Sequence, residues 1–200
     1  MPQNFEFISL GEQRGPRKWS DDMKNFYSNE KCSYFYSIWE DAFILKEVDK
    51  KIINLVNQLI EKDRKFFKFN MTADVSTRQH TVLRKFENFD LISADQDSRY
   101  RFSTQHCVWH KERFLDSIEP NQTPWDFELN DKKARFNGLN IYATKRKYAV
   151  YMGHLYKQGR KRNNWYDCVY GSNGNKTHDV EGLLKPEVEK LEKSGWVPEI

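Results

Sequence analysis

Two adjacent carboxylates, Glu40 and Asp41, directly follow the aromatic and apolar run YFYSIW at residues 34–39. Such a run is typical of a buried strand, and a carboxylate pair inside that strand would cost several kcal/mol. We therefore expect the acids at the end of the strand, at the mouth of a sheet. Their oxygens suit a hard divalent cation, Mg²⁺ or Mn²⁺, shared with substrate phosphates. The alternative is an acidic turn whose carboxylates bond to backbone amides.

A second acidic pair lies in the segment TPWDFE at residues 123–128. In extended backbone, Asp126 and Glu128 face the same side, beside the flat apolar ring of Trp125. One carboxylate then serves as a general base, with its pKa raised by the aromatic wall, and the ring suits a sugar or a nucleobase. The alternative is a partly buried tryptophan anchor with two solvated acids.

A third candidate is the basic segment GHLYKQGRKRNNW at residues 153–165. A neutral His154 can ligate a metal, and Lys157 and Arg160, on either side of Gly159, suit a diphosphate. A solvated basic loop explains the same residues, as does a surface that holds nucleic acid with the help of neighbouring aromatic rings.

Alternating strands and helices must position these groups. The patterns predict strands in residues 4–11, 34–39, 65–73 and 147–156, and a strand that passes into a helix in residues 102–118. Helical spacing of apolar residues predicts a helix over residues 50–62, and Ser20 is the predicted N-cap of another helix near residues 19–30. Residues 74–102 are predicted to be rich in loops, and residues 178–200 to form one or two short helices. We predict an α/β fold with a mixed, mostly parallel central sheet and flanking helices.

Composition indicates one folded domain spanning residues 1–200. The chain is 38% hydrophobic and 15% aromatic, and 33 basic against 29 acidic residues leave a net charge of only +4. Such a small excess does not identify a nucleic-acid partner. The three cysteines are far apart and lack metal-ligand spacing, and no stretch reaches the roughly 20 apolar residues of a membrane span. We expect a soluble cytoplasmic protein.

Several of these segments together resemble small glycosyltransferases with a GT-A-like fold from bacteriophage genomes and bacterial polysaccharide loci. The matching pieces are FISLGEQRGPRKWSD, YFYSIWEDAFI, DSRYRFSTQHCVWHKERFLDSIEPNQTPWDFEL and, more loosely, HLYKQGRKRNNW. They cover about three quarters of the chain, and the third is the most specific. The resemblance implies transfer of a sugar from a nucleotide-sugar donor to an acceptor hydroxyl on a glycan, a protein or a modified DNA base.

The resemblance also implies roles for particular residues. Glu40, Asp41 and His154 would hold Mn²⁺ or Mg²⁺ at the donor diphosphate, which Lys157 and Arg160 would also contact. Asp126 or Glu128 would act as the base toward the acceptor. The sugar or acceptor pocket would be lined by Gln105, Trp109 and Trp125.

Two features depart from the usual GT-A pattern. Only 39 residues precede Glu40, so the nucleotide-binding half is shortened at the N-terminus, and the acidic motif is Glu-Asp rather than Asp-x-Asp. A partner chain or a homo-oligomer would supply the missing part. The alternative function is a non-catalytic protein of the same fold that binds a nucleotide or nucleic acid. A metal-dependent nuclease ranks third, because no nuclease motif is present.

Overall fold

A computed structural model of the chain describes residues 8–9, 11–12, 14–38, 42–44, 50–71, 80–98, 101–104, 106–129, 135–146, 151–153, 156–157, 160–161 and 169–170. In these ranges the α-helices are α1 Trp19–Asn29, α2 Lys50–Lys62, α3 Lys111–Ser117 and α4 Pro124–Leu129, and a 3₁₀ turn, Pro16–Lys18, precedes α1. The strands are β1 Tyr34–Ser37, β2 Ala42–Ile44, β3 Phe66–Asn70, β4 His80–Lys85, β5 Phe89–Ala94, β6 Cys107–His110, β7 Asn140–Arg146, β8 Tyr151–Gly153, β9 Tyr156–Lys157, β10 Arg160–Lys161 and β11 Val169–Tyr170.

Six strands form the main sheet, in the order β1-β6-β3-β7-β5-β4. Within it only β3 and β7 pair in parallel, while the other four neighbouring pairs are antiparallel. The α/β class is therefore confirmed, but the GT-A-like, mostly parallel sheet predicted from the sequence is wrong. The β4–β5 hairpin explains part of the error, because it occupies a region predicted to be loop-rich. Short connections of this kind force antiparallel pairing.

Helices cover both faces of the main sheet. On the first, here called the α1 face, α1, α3 and α4 enclose an aromatic cluster that includes Phe67, Trp109 and Phe127. On the second, the α2 face, Ile52 and Val56 of α2 pack with Phe66, Phe69 and other buried residues. Each fully buried large apolar side chain contributes roughly 1.5–3 kcal/mol relative to exposure.

The predicted strand at residues 65–73 and helix at residues 50–62 are confirmed by β3 and α2. The predicted passage from strand to helix is also confirmed, since β6 leads directly into α3 at His110. β1 is a strand as expected, but it lies half-buried at the edge of the sheet rather than inside it. Residues 1–7 and the predicted C-terminal helices lie outside the described residues.

The expected N-cap of α1 is wrong. Helix α1 begins at Trp19, after Lys18, which makes no side-chain capping bond, so Ser20 already lies inside the first turn. Ser20 is buried instead, and its Oγ accepts a hydrogen bond of 2.8 Å from the backbone N–H of Gln122. This contact joins α1 to the loop that leads into α4.

Candidate functional site at the end of the sheet

Three strands of the main sheet, β1, β3 and β7, run in the same direction, and β1 and β3 end on either side of β6. β6 is antiparallel to both β1 and β3, so the C-terminal ends of β1 and β3 lie beside the start of β6. β7 is parallel to β3, with Ala143 opposite Asn70, and continues to Arg146. Ser37, Cys107 and Asn70 are neighbours in register across this end. We use "sheet-end site" for Ser37, Asn70, Thr104, Cys107 and Glu128. Open α/β sheets bind ligands at such strand ends.

A β-bulge in β3 brings a charged side chain to this region. The register between β3 and β7 shifts between Phe66 and Lys68, so that Lys68 lies opposite Trp109 and Ile141 on the α1 face. Lys68 is fully buried; its Nζ donates a hydrogen bond to the carbonyl oxygen of Ser103 and lies 4.4 Å from the ring centroid of Trp109. A cation over a tryptophan face is attracted more strongly when water is excluded.

The Cys107 thiol is shielded. Its Sγ lies 3.2 Å from Ser37 Oγ, and that hydroxyl also accepts a 3.2 Å hydrogen bond from the indole N–H of Trp109. Complete burial raises the pKa of the Cys107 thiol, since the thiolate loses its hydration. The thiol is therefore neutral and packed rather than a nucleophile.

A carboxylate from α4 is fixed at the edge of the site. Glu128 Oε1 accepts hydrogen bonds from the backbone N–H of Thr104 at 2.6 Å and from the Thr104 hydroxyl at 2.7 Å. Bonds to an ionised acceptor are the stronger kind, so this pair sets the orientation of the carboxylate. Ser103 and Thr104 are adjacent in one loop, so this loop contacts both Lys68 and Glu128.

Beside these polar groups is a pocket of about 250 Å³ on the α1 face, here called the aromatic pocket. Its lining residues are Trp19, Met23, Tyr27, Phe35, Tyr36, Ser37, Ile38, Thr104, Trp109 and Phe114. Six of these ten residues are aromatic, and Ser37 and Thr104 belong both to this lining and to the sheet-end site. Burial raises the pKa of Tyr27 to about 12, so that phenol stays protonated at neutral pH.

The predicted catalytic pair is arranged differently from the sequence expectation. Asp126 and Glu128 lie in helix α4 rather than in extended backbone, so the two side chains point about 160° apart around the helix axis. Asp126 Oδ2 accepts a 3.0 Å bond from the backbone N–H of Thr123, and Thr123 Oγ1 accepts a 3.1 Å bond from the N–H of Asp126. The two bonds form a reciprocal cap of α4. The pKa of Asp126 is lowered by the bonds that its carboxylate accepts from the backbone N–H and the side chain of Thr123.

The two predicted tryptophans have different environments. Trp109 is almost fully buried in the core and also lines the aromatic pocket, whereas Trp125 is 66% exposed on α4. Among the basic candidates, Lys157 and Arg160 lie opposite each other in the β9–β10 pair. Glu40, Asp41, Gln105 and His154 lie outside the described residues.

Sequence reasoning did not single out Ser37, Lys68, Asn70 or Thr104. A signal was present for two of them, because Lys68 and Asn70 interrupt the apolar run KFFKFNM. Nothing in the sequence shows that Thr104 binds Glu128, because that contact joins positions 24 residues apart.

Comparison with models of known protein families gives no match to this chain, and comparison with curated proteins gives none either. Within the described ranges, no group of three or more His, Cys, Asp or Glu side chains is placed to hold a metal ion. The same ranges contain no helix with the length and apolar character needed to cross a membrane.

Proposed function

We propose that the chain binds a sugar at the sheet-end site and the aromatic pocket, and transfers it from a nucleotide-sugar donor to an acceptor hydroxyl. The observation that carries the proposal is the Glu128 carboxylate, which accepts two hydrogen bonds from Thr104, a residue that also lines the aromatic pocket. A sugar ring matches this combination, because it has an apolar C–H face and several hydroxyl groups.

The dimensions of the pocket favour a small ligand. Its volume of about 250 Å³ is below the roughly 300–1,000 Å³ of pockets for drug-sized molecules. One sugar ring, stacked on an aromatic wall and bonded to the hydroxyls of Ser37 and Thr104, is the occupant we propose.

Glu128 is the better candidate for the general base. Its orientation is set by Thr104, which itself lines the proposed sugar pocket. A base must be within hydrogen-bond reach of the acceptor hydroxyl whose proton it removes. Asp126 is less suited, because its carboxylate caps α4 and its lowered pKa makes it a weaker base.

The donor side of the proposal comes from the sequence. Lys157 and Arg160 would contact the diphosphate, and Glu40, Asp41 and His154 would hold Mn²⁺ or Mg²⁺. A bound cation would neutralise charge on the leaving nucleotide diphosphate. We propose that the acceptor is a glycan, a protein or a modified DNA base. We also propose that the protein acts in the cytoplasm, where Cys32 and Cys107, two of the three cysteines, would remain the free thiols that they are in the structure.

The test is donor turnover with Mn²⁺ and a panel of nucleotide sugars, for the wild type and for Glu128→Gln. We expect turnover to fall about a hundredfold or more in the variant, because general-base catalysis contributes on that scale. Sugar binding, followed by tryptophan fluorescence, should change much less, because the amide keeps an oxygen toward Thr104. The matched control is Glu112→Gln, an exposed glutamate on α3, which should leave turnover unchanged.

Absence of both nucleotide-sugar binding and turnover in the wild type would refute the proposal. Binding of the donor without turnover, or DNA binding that weakens steeply with salt, would instead favour the non-catalytic nucleotide- or nucleic-acid-binding protein. Equal turnover in wild type and Glu128→Gln would remove Glu128 from the catalytic role.

A further inference from the structure

We propose that the chain has a second ligand site, which binds a small uncharged aromatic molecule that carries a hydroxyl group. The site is a pocket of about 310 Å³ on the α2 face, here called the α2-face pocket. Its lining residues are Tyr34, Phe35, Tyr36, Ile53, Val56, Asn57, Ile60, Met71 and Val108. The volume lies within the roughly 300–1,000 Å³ that pockets for small molecules occupy. The sugar of the proposed transfer is assigned to the aromatic pocket instead, so the two proposals can fail separately.

The pocket arises from the way α2 packs on the sheet. Ile52 and Val56 of α2 pack with Phe66 and Phe69 of β3, and β6 separates β3 from β1. A helix with its side chains is about 10 Å wide, and neighbouring strands lie about 4.8 Å apart. A helix packed over β3 therefore reaches β6 but leaves a space above β1.

Side chains from both elements form the walls of this space. Tyr34 and Tyr36, two residues apart on β1, project from the same face of the sheet. Ile53, Asn57 and Ile60 follow the spacing i, i+4 and i+7 along α2, so they lie in one stripe of the helix. Tyr36 and Ile53 are 44% and 45% exposed, so the pocket can be entered from solvent.

The chemistry of the walls selects the class of ligand. All nine lining residues are uncharged, and eight of them are apolar or aromatic, Asn57 being the exception. A charged ligand would lose its hydration here without gaining an ion pair, which is costly. Aromatic side chains favour contact with another ring, in offset or edge-to-face arrangement. The pocket therefore suits an uncharged ring compound better than a nucleotide or a phosphate.

One end of the pocket carries a fixed polar group. Tyr36 Oη lies 3.1 Å from Nδ1 of His106, a residue that is only 2% exposed. The carbonyl oxygen of His106 also accepts a 2.9 Å hydrogen bond from the backbone N–H of Met71, another lining residue. Two lining residues are thus bonded to one buried residue, which holds this end of the pocket in place.

A hydroxyl group on the ligand matches this end of the pocket. A phenol has one proton to donate and two lone pairs, and the bond between Tyr36 and His106 accounts for one of these three positions. A ligand hydroxyl can either donate or accept. It can therefore bond to the Tyr36 oxygen whichever of the two partners, Tyr36 or His106, donates the proton in their bond.

The test is binding of 2-naphthol to the full chain, measured by calorimetry, with naphthalene as the same ring system without the hydroxyl group. We expect saturable binding of one 2-naphthol per chain. Tyr36→Phe should weaken the binding of 2-naphthol about fivefold, the usual effect of losing one neutral hydrogen bond, and leave the binding of naphthalene unchanged. Naphthalene-2-sulfonate should bind about tenfold or more weakly than 2-naphthol, because it carries a charge.

The location of the site is tested by Ile53→Trp. This variant puts a larger ring at an exposed position of the pocket lining and should abolish binding of 2-naphthol. The matched control is Val82→Trp on β4, where Val82 is 42% exposed, and this variant should bind 2-naphthol like the wild type. Circular dichroism checks that both variants are folded.

A wild type that binds neither ring compound would overturn the proposal, as would binding of 2-naphthol that survives in Ile53→Trp. Equal weakening of 2-naphthol and naphthalene binding in Tyr36→Phe would overturn the hydroxyl contact, because Tyr36 would then act through the shape of the pocket alone. A wild-type dimer that Ile53→Trp dissociates, with no binding of 2-naphthol, would mean that a second copy fills the pocket, and would also overturn the proposal.

Discussion

At the scale of single residues, Asn70 is the most unusual group in the sheet-end site. It is completely buried at the end of β3, and neither its Nδ2 nor its Oδ1 has a hydrogen-bond partner among the described residues. Lys68, two residues earlier, is equally buried but bonds to Ser103 and contacts Trp109. Folded proteins leave few buried polar groups unsatisfied, and those that remain concentrate at functional sites.

Replacing Asn70 by leucine, which has nearly the same shape, should therefore stabilise the fold. The unsatisfied amide costs about 1–3 kcal/mol, and we expect the free energy of unfolding in urea to rise by about 1 kcal/mol or more. The control is Asn54→Leu, an exposed position on α2, where a change within about 0.5 kcal/mol is expected. A clear loss of stability in Asn70→Leu would mean that the amide is satisfied in solution.

At the scale of elements, α4 depends on its first turn. The helix has only six residues, too few to be stable without tertiary contacts or capping. Phe127 packs against Trp19 in the core, and Thr123 and Asp126 cap the N-terminus reciprocally. Glu128 lies in the same short helix, so we expect that loss of the cap also weakens the hydrogen bonds between Glu128 and Thr104.

Thr123→Ala should destabilise the protein by about 1 kcal/mol, the usual cost of losing a threonine N-cap. Thermal unfolding measures the change, and Ser28→Ala on the exposed side of α1 is the control with little expected effect. An unfolding temperature equal to that of the wild type would show that the cap does not hold α4.

The same cap gives a pH dependence. The pKa of Asp126 is lowered below its ordinary value of 3.8, so the stabilisation is present above that pH and is lost as the pH falls through the lower folded value. The difference in stability between wild type and Asp126→Asn should therefore shrink on acidification below about pH 4. A difference that stays constant down to the acid transition would contradict the ionised cap.

At the scale of the whole molecule, the two helical layers hold the centre of the sheet more firmly than its edges. β3 is buried at every position and pairs on both sides, while β4 is exposed at nearly every position and, among the described strands, pairs with β5 alone. Arg101 adds a buried link, since its guanidinium donates to the carbonyl oxygens of Phe136 and Leu139 in the approach to β7.

Amide hydrogen exchange should follow this gradient. We expect the slowest exchange in β3, which opens only with global unfolding, and exchange that is orders of magnitude faster in β4, which can open locally. Mass spectrometry of peptides covering the two strands measures both rates. Equally slow exchange in β4 would indicate that its edge is covered in solution.

Much of the local structure follows from the sequence. The apolar spacing of α2, the aromatic run of β3 and the change of period between β6 and α3 each lead to the correct element, because each pattern is satisfied within a few residues. The wrong predictions concern features that depend on contacts between segments far apart in the sequence. The sequence did not predict β4 because most of its side chains are exposed, and it did not predict β5 because Asp90 and Ser93 interrupt its short apolar stretch.

The α/β class, most of the central elements and the candidate acids could be predicted from the sequence, because side-chain chemistry and short-range periodicity are local properties of the chain. Three features follow from the tertiary structure alone: β3 and β7 are the one parallel pair among the described strands of the main sheet, Asp126 caps a helix while Glu128 binds Thr104, and Lys68 and Asn70 are buried side by side. Each of these depends on which strands become neighbours and on a bulge that turns Lys68 toward Trp109. Such long-range packing has no local signature, since its free energy appears only when distant segments meet.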